Sequence, residues 1–284
     1  MTTATSNAID QAKEHVEEAV RTAGPVLTWL ARLGFVAKGV VYTLVGGLAL
    51  LAALDRGGDT TDQRGALRSI LHQPFGRTML AIAAIGLFGY TLWRLIQAIF
   101  DPEHVRHDAK SFGGRVTHFV SGAAYGFLAV AAWRMILGND DGSGDRTPGW
   151  TAHLMARPAG PWLVGAIGLI VIGVGAWQFY RAWRAKFGEK LVLDRWGAHM
   201  RNWIIHFGRF GYAARGVIFC LIGTFMLAAA NHHNPGEAKG VGSAMRYIEG
   251  LRFGWVLLTI VALGLIAYGV FQLVEARYRK IEVC

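Results

Sequence analysis

Three basic residues, Lys38, Arg94 and Arg215, stand inside stretches that are otherwise almost wholly apolar. A charge at mid-membrane depth costs at least roughly 2.5 kcal/mol, so each of these positions asks for an explanation. Ser121, Gln178, Gln272 and Glu275 occupy comparable places in other apolar stretches. At 100° per residue, Arg32, Lys38, Gly39, Tyr42 and Gly46 fall within one arc of about 120° on a helix. Gly86, Gly89, Tyr90, Trp93, Arg94 and Gln97 share a similar arc on another. Small residues let membrane helices approach closely. Those arcs are therefore expected to face the protein interior, with Gly39, Gly86, Gly122, Gly126, Gly216 and Gly264 as packing positions. The expected chemistry is electrostatic. A ring of Lys38, Arg94, Ser121, Gln178, Arg215, Gln272 and Glu275 carries three cations, which suits an anion or a lipid headgroup near the cytoplasmic surface. The competing explanation is local. Lys38 and Arg94 lie about five or six residues from a segment end, so both can snorkel to the interface, and Arg215 can pair with Glu275.

Other residues of catalytic type do not assemble into a set. Asp101, Glu103, His104, His107 and Asp108 include an i, i+3 histidine pair of the kind that binds metals, but a solvated loop explains them as well. Asn231-His232-His233-Asn234 reads as an outer turn. Haem needs two axial ligands that face each other, whereas His118 and His206 both lie near the same membrane face. No phosphate-binding loop follows a strand, and no nucleophile, base and acid fall together. No metal or cofactor is expected, and nothing argues for an enzyme.

The elements that position the polar ring are six apolar segments, near residues 33–54, 78–100, 116–137, 161–183, 210–230 and 254–274. Each is long enough to cross a hydrocarbon core of roughly 30 Å as a helix. Of the 284 residues 53% are hydrophobic and 17% charged, below the roughly 25% charged of a soluble chain. Trp29, Trp93, Trp133, Trp162, Trp183, Trp203 and Trp255 fall near segment ends, where an aromatic belt belongs. The first 24 residues are polar and lack the apolar core of a secretory leader. They carry one amphipathic face (Ile9, Ala12, Val16, Ala19, Val20) and are expected to end as a helix at Gly24-Pro25. Cys220 and Cys284 support no disulfide framework. The net charge of +10 follows membrane topology rather than nucleic-acid binding. Nineteen Lys and Arg fall on the side of the two termini and ten on the other, so both termini are expected to be cytoplasmic, in a bacterial plasma membrane.

The segments form a repeat. Ala31 to Gly39, Gly114 to Gly122 and Gly208 to Gly216 are three copies of one opening. In each, an arginine leads a glycine by seven residues, and an aromatic follows that glycine by three: Tyr42, Tyr125 and Phe219. The second helices match as well, with Gly86, Tyr90, Trp93 and Arg94 against Gly264, Tyr268, Phe271 and Gln272. The middle copy is looser, with Ile170, Val174, Trp177 and Gln178. The predicted fold is an all-α integral membrane protein: six transmembrane helices as three two-helix repeats in parallel topology around a pseudo-threefold axis. The predicted organisation is a cytoplasmic amphipathic segment (1–30), repeat one (31–101), repeat two (102–186), an interfacial linker helix (187–207) and repeat three (208–284). The linker is read from Trp196, Met200, Trp203, Ile204 and Phe207 at helical spacing.

The motif Arg-x-Gly-[Phe/Tyr]-x-Ala-[Lys/Arg]-Gly, with the later Gly-Tyr-x-x-Trp-Arg-x-x-Gln-Ala, resembles bacterial membrane proteins grouped as domain of unknown function 1206. The resemblance covers roughly residues 30 to 280. It is close in copies one and three, whereas copy two has Thr117, His118 and Ser121 in place of glycine, aromatic and base. It implies three hairpins and brings no activity with it. The preferred reading is a structural or partner-binding membrane component, with the lipid bilayer and another membrane protein as its expected partners. The alternative is a transporter of a small molecule, anion or lipid, with its pathway on the pseudo-threefold axis. A polar cavity lined by all three repeats would favour the transporter, and a filled axis the scaffold.

Overall fold

Pro25 lacks an N–H and fixes φ near −65°, which suits the first turn of a helix. Gly24-Pro25, expected to close an N-terminal helix, instead opens α1 (Gly24–Ala53). The computed structural model describes residues 24–56, 58, 60–100, 109–139, 145, 147–185, 187–188 and 198–279. The amphipathic segment before Gly24, the cluster Asp101 to Asp108 and most of the loop Asn139 to Asp145 lie outside the described residues.

The apolar runs form α1, α3 (Gly76–Phe100), α4 (Ala109–Ile136), α6 (Gly160–Arg184), α7 (Ala198–Asn231) and α9 (Gly254–Tyr278). All six are long and apolar enough to cross a membrane. Each repeat is a pair: α1 with α3, α4 with α6, α7 with α9. The stretch 198–207, expected in a separate interfacial helix, runs straight into the fifth membrane helix. No proline or glycine interrupts it until Gly208, and Trp203, Ile204 and Phe207 continue the helical stripe. Arg209 then donates to the carbonyls of Ala182 (2.9 Å) and Trp183 (3.1 Å). A cation thus caps the C-terminal end of α6, where unpaired carbonyls concentrate.

Between the two membrane helices of each repeat lies a short helix: α2 (Gln63–Leu71), α5 (Thr147–Met155) and α8 (Val241–Glu249). Ala66, Leu67 and Ile70 bury one face of α2, and Ala244, Met245 and Ile248 the matching face of α8. Each short helix turns into the next membrane helix at a glycine: Gly76, Gly160 or Gly254. A Cβ there would run into carbonyl oxygens at the end of the short helix, so the turn admits no side chain.

These short helices tie together the loops between the two membrane helices of the three repeats. Asp145 of repeat two accepts from the Gly240 N–H (2.6 Å) and the Ser243 hydroxyl (2.7 Å), and so caps the N-terminus of α8 in trans. It also accepts from the Thr147 N–H (3.0 Å) at the start of α5. Arg246 donates to Ser243 Oγ (3.0 Å) and to the Thr60 carbonyl of repeat one (3.1 Å). Burial pushes the Asp145 carboxyl up, but the hydrogen bonds from Thr147, Gly240 and Ser243 outweigh it and hold the group below the usual carboxylate range.

The six membrane helices pack mainly between repeats. The second helix of each repeat lies on the first helix of the next: α3 on α4, α6 on α7, and α9 back on α1. Glycines permit the closest of these approaches. A Cβ on Gly39 would come within 2.9 Å of the Gly269 carbonyl, and one on Gly223 within 2.7 Å of the Gly168 carbonyl. Within repeats one and three the hairpins also close, α1 on α3 and α7 on α9. Repeat two is different, because α4 and α6 form no packing interface among the described residues. Among the described residues the bundle is therefore a ring of six helices with one opening.

The opening follows from the sequence of repeat two. Where α1 crosses α3, a Cβ on Gly34 would overlap that of Tyr90, and one on Gly86 would sit 2.8 Å from the Leu33 carbonyl. Gly211 and Gly264 play these parts in repeat three, against Tyr268 and Ala214. Repeat two has no glycine at the same two positions, which hold Thr117 and Ile170, and glycine is what lets membrane helices approach this closely. The residues that would face the missing interface are correspondingly uncovered. Trp177 is 52% exposed against 5% for Trp93, and Val174 is 38% exposed against 0% for Tyr90.

Candidate anion site: a cation–tyrosine cluster

In repeats one and two the aromatic residue that follows the repeat glycine meets a tyrosine of a second helix. Tyr42 packs edge-on against Tyr268 (4.9 Å between ring centres) and Tyr125 against Tyr90 (5.0 Å). Lys38, only 5% exposed, projects into this cage. Its ammonium lies 5.3 Å from the ring centre of Tyr90 and 5.2 Å from those of Tyr125 and Tyr268. One residue of repeat one is thus held by rings from all three repeats. Each contact is a cation–π interaction, worth up to about 2 kcal/mol when desolvated.

Arginines use the same tyrosines from the side. Arg94 donates from Nε to Tyr90 Oη (2.8 Å) and from Nη1 to Gln97 Oε1 (3.1 Å), and Nη1 lies 2.7 Å from His118 Nδ1. Arg215 donates from Nη1 to Tyr268 Oη (2.6 Å) and lies over the rings of Tyr268 (4.5 Å) and Tyr42 (5.1 Å). Tyr90 and Tyr268 therefore each present a face to Lys38 and a hydroxyl to an arginine. The distances to the Tyr90 ring (5.3 and 5.0 Å) put the Lys38 and Arg94 charges within about 10 Å of each other. Those to the Tyr268 ring (5.2 and 4.5 Å) do the same for Lys38 and Arg215. At an effective dielectric near 20, two like charges about 10 Å apart repel by roughly 1.7 kcal/mol. A fourth cation, Arg181, stacks on Tyr212 at 4.4 Å.

Negative charge is scarce. Glu275 is the one buried carboxylate among the described residues. It accepts from Gln272 Nε2 (2.7 Å) and forms an ion pair with Arg279 (3.0 Å) on its own helix. Arg215 takes the Tyr268 hydroxyl as its partner instead of Glu275, and its buried Nε has no acceptor among the described residues. Gln272 Oε1 is likewise without a donor. The tyrosines hold the cations in place without neutralising them. An anion entering the cage would relieve both the repulsion and the unmet donors.

The structure brings Lys38, Arg94 and Arg215 to one cluster and puts Gln178, Gln272 and Glu275 in the interior, with Ser121 partly covered on the face of α4 that carries His118 and Tyr125. A Cβ on Gly39, Gly86, Gly122, Gly126, Gly216 or Gly264 would touch the neighbouring helix in every case. Sequence reasoning left out Tyr90, Tyr125, Tyr268 and Arg181 as site residues. The signal was present in the aromatic that follows the repeat glycine by three and in the repeated tyrosine of the second helix. His232 of the outer turn contacts Glu237 at 2.8 Å. The cavity beside Arg215, lined by Tyr42, Gln63, Arg215, Phe219 and Leu265 among others, has about 10 Å³ of room, close to the least that holds one water. The rings of Tyr42 and Tyr268, and of Tyr90 and Tyr125, cross edge-on next to Lys38.

Fold and cluster define a six-helix membrane protein of three two-helix repeats whose shared core is basic and aromatic. The chain matches the family described as Domain of Unknown Function (DUF1206) over residues 33–101, 116–185 and 210–279, and it belongs to that family. It is 32% identical over 255 residues to the "Uncharacterized protein YxxB" of Bacillus subtilis (strain 168), an alignment that covers 90% of this chain and 92% of that protein. No solved structure matches.

Proposed function

We propose that this protein is a non-enzymatic membrane component that binds an anionic group at the cation–tyrosine cluster. The observation that carries the reading is the charge balance. Lys38, Arg94 and Arg215 share one tyrosine cage, while the buried carboxylate among the described residues, Glu275, is already paired with Arg279. Unpaired charge in a low-dielectric interior is costly, and a bound anion removes that cost. Rings from all three repeats enclose Lys38, which supports a binding site over a continuous pathway. The test is thermal unfolding in an uncharged detergent with dodecyl phosphate or dodecyltrimethylammonium added. The phosphate should raise the unfolding temperature and the ammonium should not. Lys38→Gln, Arg94→Gln and Arg215→Gln should each reduce the rise. Equal responses to the two additives, or a rise that survives all three substitutions, would overturn the reading.

A second reading is a structural membrane component with no ligand, and the close ring packing around Lys38 favours it. Under that reading the cations are needed for folding, and every substitution that removes one should destabilise the ligand-free protein.

A further inference from the structure

Both helices that border the opening in repeat two carry residues of the cation–tyrosine cluster, Tyr125 on α4 and Arg181 on α6. The back of the opening runs from Tyr125 on α4, through Lys38 (5.2 Å) to the Tyr268 ring (5.2 Å), then across Tyr212 (5.4 Å) to Arg181 on α6 (4.4 Å). Tyr125, Arg94, Arg215 and Arg181 are all partly exposed, although each lies within a helix apolar enough to span a membrane. The polar end of the opening lies near the face where α1 begins and α9 ends, because Arg181 stands at the last turn of α6. Moving away from Arg181 along the same helix, Val174 and Ile170 follow at rises of about 10 and 17 Å. Both are apolar and exposed. Repeats one and three keep Tyr90 and Gly86, or Tyr268 and Gly264, at those positions and are closed.

We infer that the ligand is an amphiphile with an anionic headgroup of the phosphate or carboxylate type, and that it enters sideways from the bilayer between α4 and α6. The inference rests on the anion-binding reading above and adds a route and a tail. The headgroup meets Arg94, Arg215 and Lys38, and the chain lies along Trp177, Val174 and Ile170 towards the membrane centre. A single headgroup depth and a single apolar strip, in register on one helix, match a molecule with a charge at one end and a tail at the other. A lipid and a free anion share the headgroup chemistry, so the tail is what separates them.

The test compares dodecyl phosphate, inorganic phosphate and dodecyltrimethylammonium by native mass spectrometry of the full chain in an uncharged detergent. The wild type should retain one dodecyl phosphate at concentrations at least tenfold below those needed for inorganic phosphate, and it should not retain the ammonium. A variant that gives repeat two the closing residues of repeat three, Thr117→Gly with Ile170→Gly and Val174→Tyr, should lose at least tenfold in retention of dodecyl phosphate. Ser121→Trp, which fills the opening from α4 without altering the crossing, should do the same and decides the matter if the triple variant does not fold. If folded closing variants bind as well as the wild type, or inorganic phosphate binds as tightly as dodecyl phosphate, lateral entry is wrong while the anion site stands. If the wild type retains neither phosphate, the anion site itself is wrong and the inference falls with it.

Discussion

Lys38 of repeat one places its ammonium 5.2 Å from the ring centre of Tyr125, which belongs to repeat two. Tyr125 is partly exposed and Lys38 is buried, so the tyrosine stands between the cation and the opening of the ring. This pairing connects the charge in the core to the only hairpin that the described residues leave open.

Removing the Lys38 charge should not harm the empty protein. Lys38→Met keeps the length and apolar stem while deleting a cation that repels two others, and such replacements are often neutral or stabilising. The expected result is an unfolding temperature equal to or above that of the wild type, with affinity for dodecyl phosphate reduced at least tenfold. A fall of several degrees without ligand would show that the charge is structural.

The Tyr268 hydroxyl should matter more than its ring position suggests. Tyr268→Phe leaves the ring faces for Lys38 and Arg215 but removes the acceptor 2.6 Å from Arg215 Nη1. A hydrogen bond to a charged group is worth about 1.5–3 kcal/mol. The variant should be destabilised by about that amount in denaturant titration, and dodecyl phosphate should restore part of the loss by offering Arg215 a new acceptor.

Glycine positions between repeats should tolerate no side chain. A Cβ on Gly39 would fall 2.9 Å from the Gly269 carbonyl, in the closure of repeat three on repeat one. Gly39→Leu should cost at least the roughly 1–3 kcal/mol of ordinary overpacking. Leu263→Ala on the exposed face of α9 is the control and should change the unfolding temperature little.

Much of this fold was legible because membrane spans and close helix contacts write themselves in single residues. Long apolar runs give the six helices, and Gly39, Gly86, Gly122 and Gly216 mark contacts that a larger residue would block. Lys38, Arg94 and Arg215 stand out for the same reason, as charges in apolar surroundings. The short helices α2, α5 and α8 were not legible. Nine residues hold barely two and a half turns, and their buried faces exist only once the membrane helices are in place. The open hairpin was half legible. Thr117 and Ile170 break the glycine pattern visibly, but only the Gly34–Tyr90 and Gly211–Tyr268 contacts reveal that those glycines close a hairpin. Tyr90 and Tyr268 are marked by their repetition, but that each holds a lysine and an arginine depends on helices meeting and is not written in spacing.

The clasp between the repeat loops should depend on pH. The Asp145 carboxyl is held below the usual carboxylate range by its hydrogen bonds, so ionised Asp145 stabilises the fold. That contribution is fully present above the ordinary carboxylate pKa of about 3.9 and is lost as pH falls through the lowered folded value. Asp145→Asn should therefore lower the unfolding temperature at neutral pH, and its difference from the wild type should shrink below about pH 4. A difference that does not change with pH would show that the clasp does not depend on charge.

The most direct measurement is a crystal structure grown from a lipid mesophase doped with a bromine-tailed alkyl phosphate. The account predicts phosphate density within hydrogen-bond reach of Arg215 and Arg94, next to Lys38, with the bromine anomalous peak between α4 and α6 near Ile170. A cage that stays empty at saturating ligand, with bromine only on the outer lipid-facing surface, would contradict it.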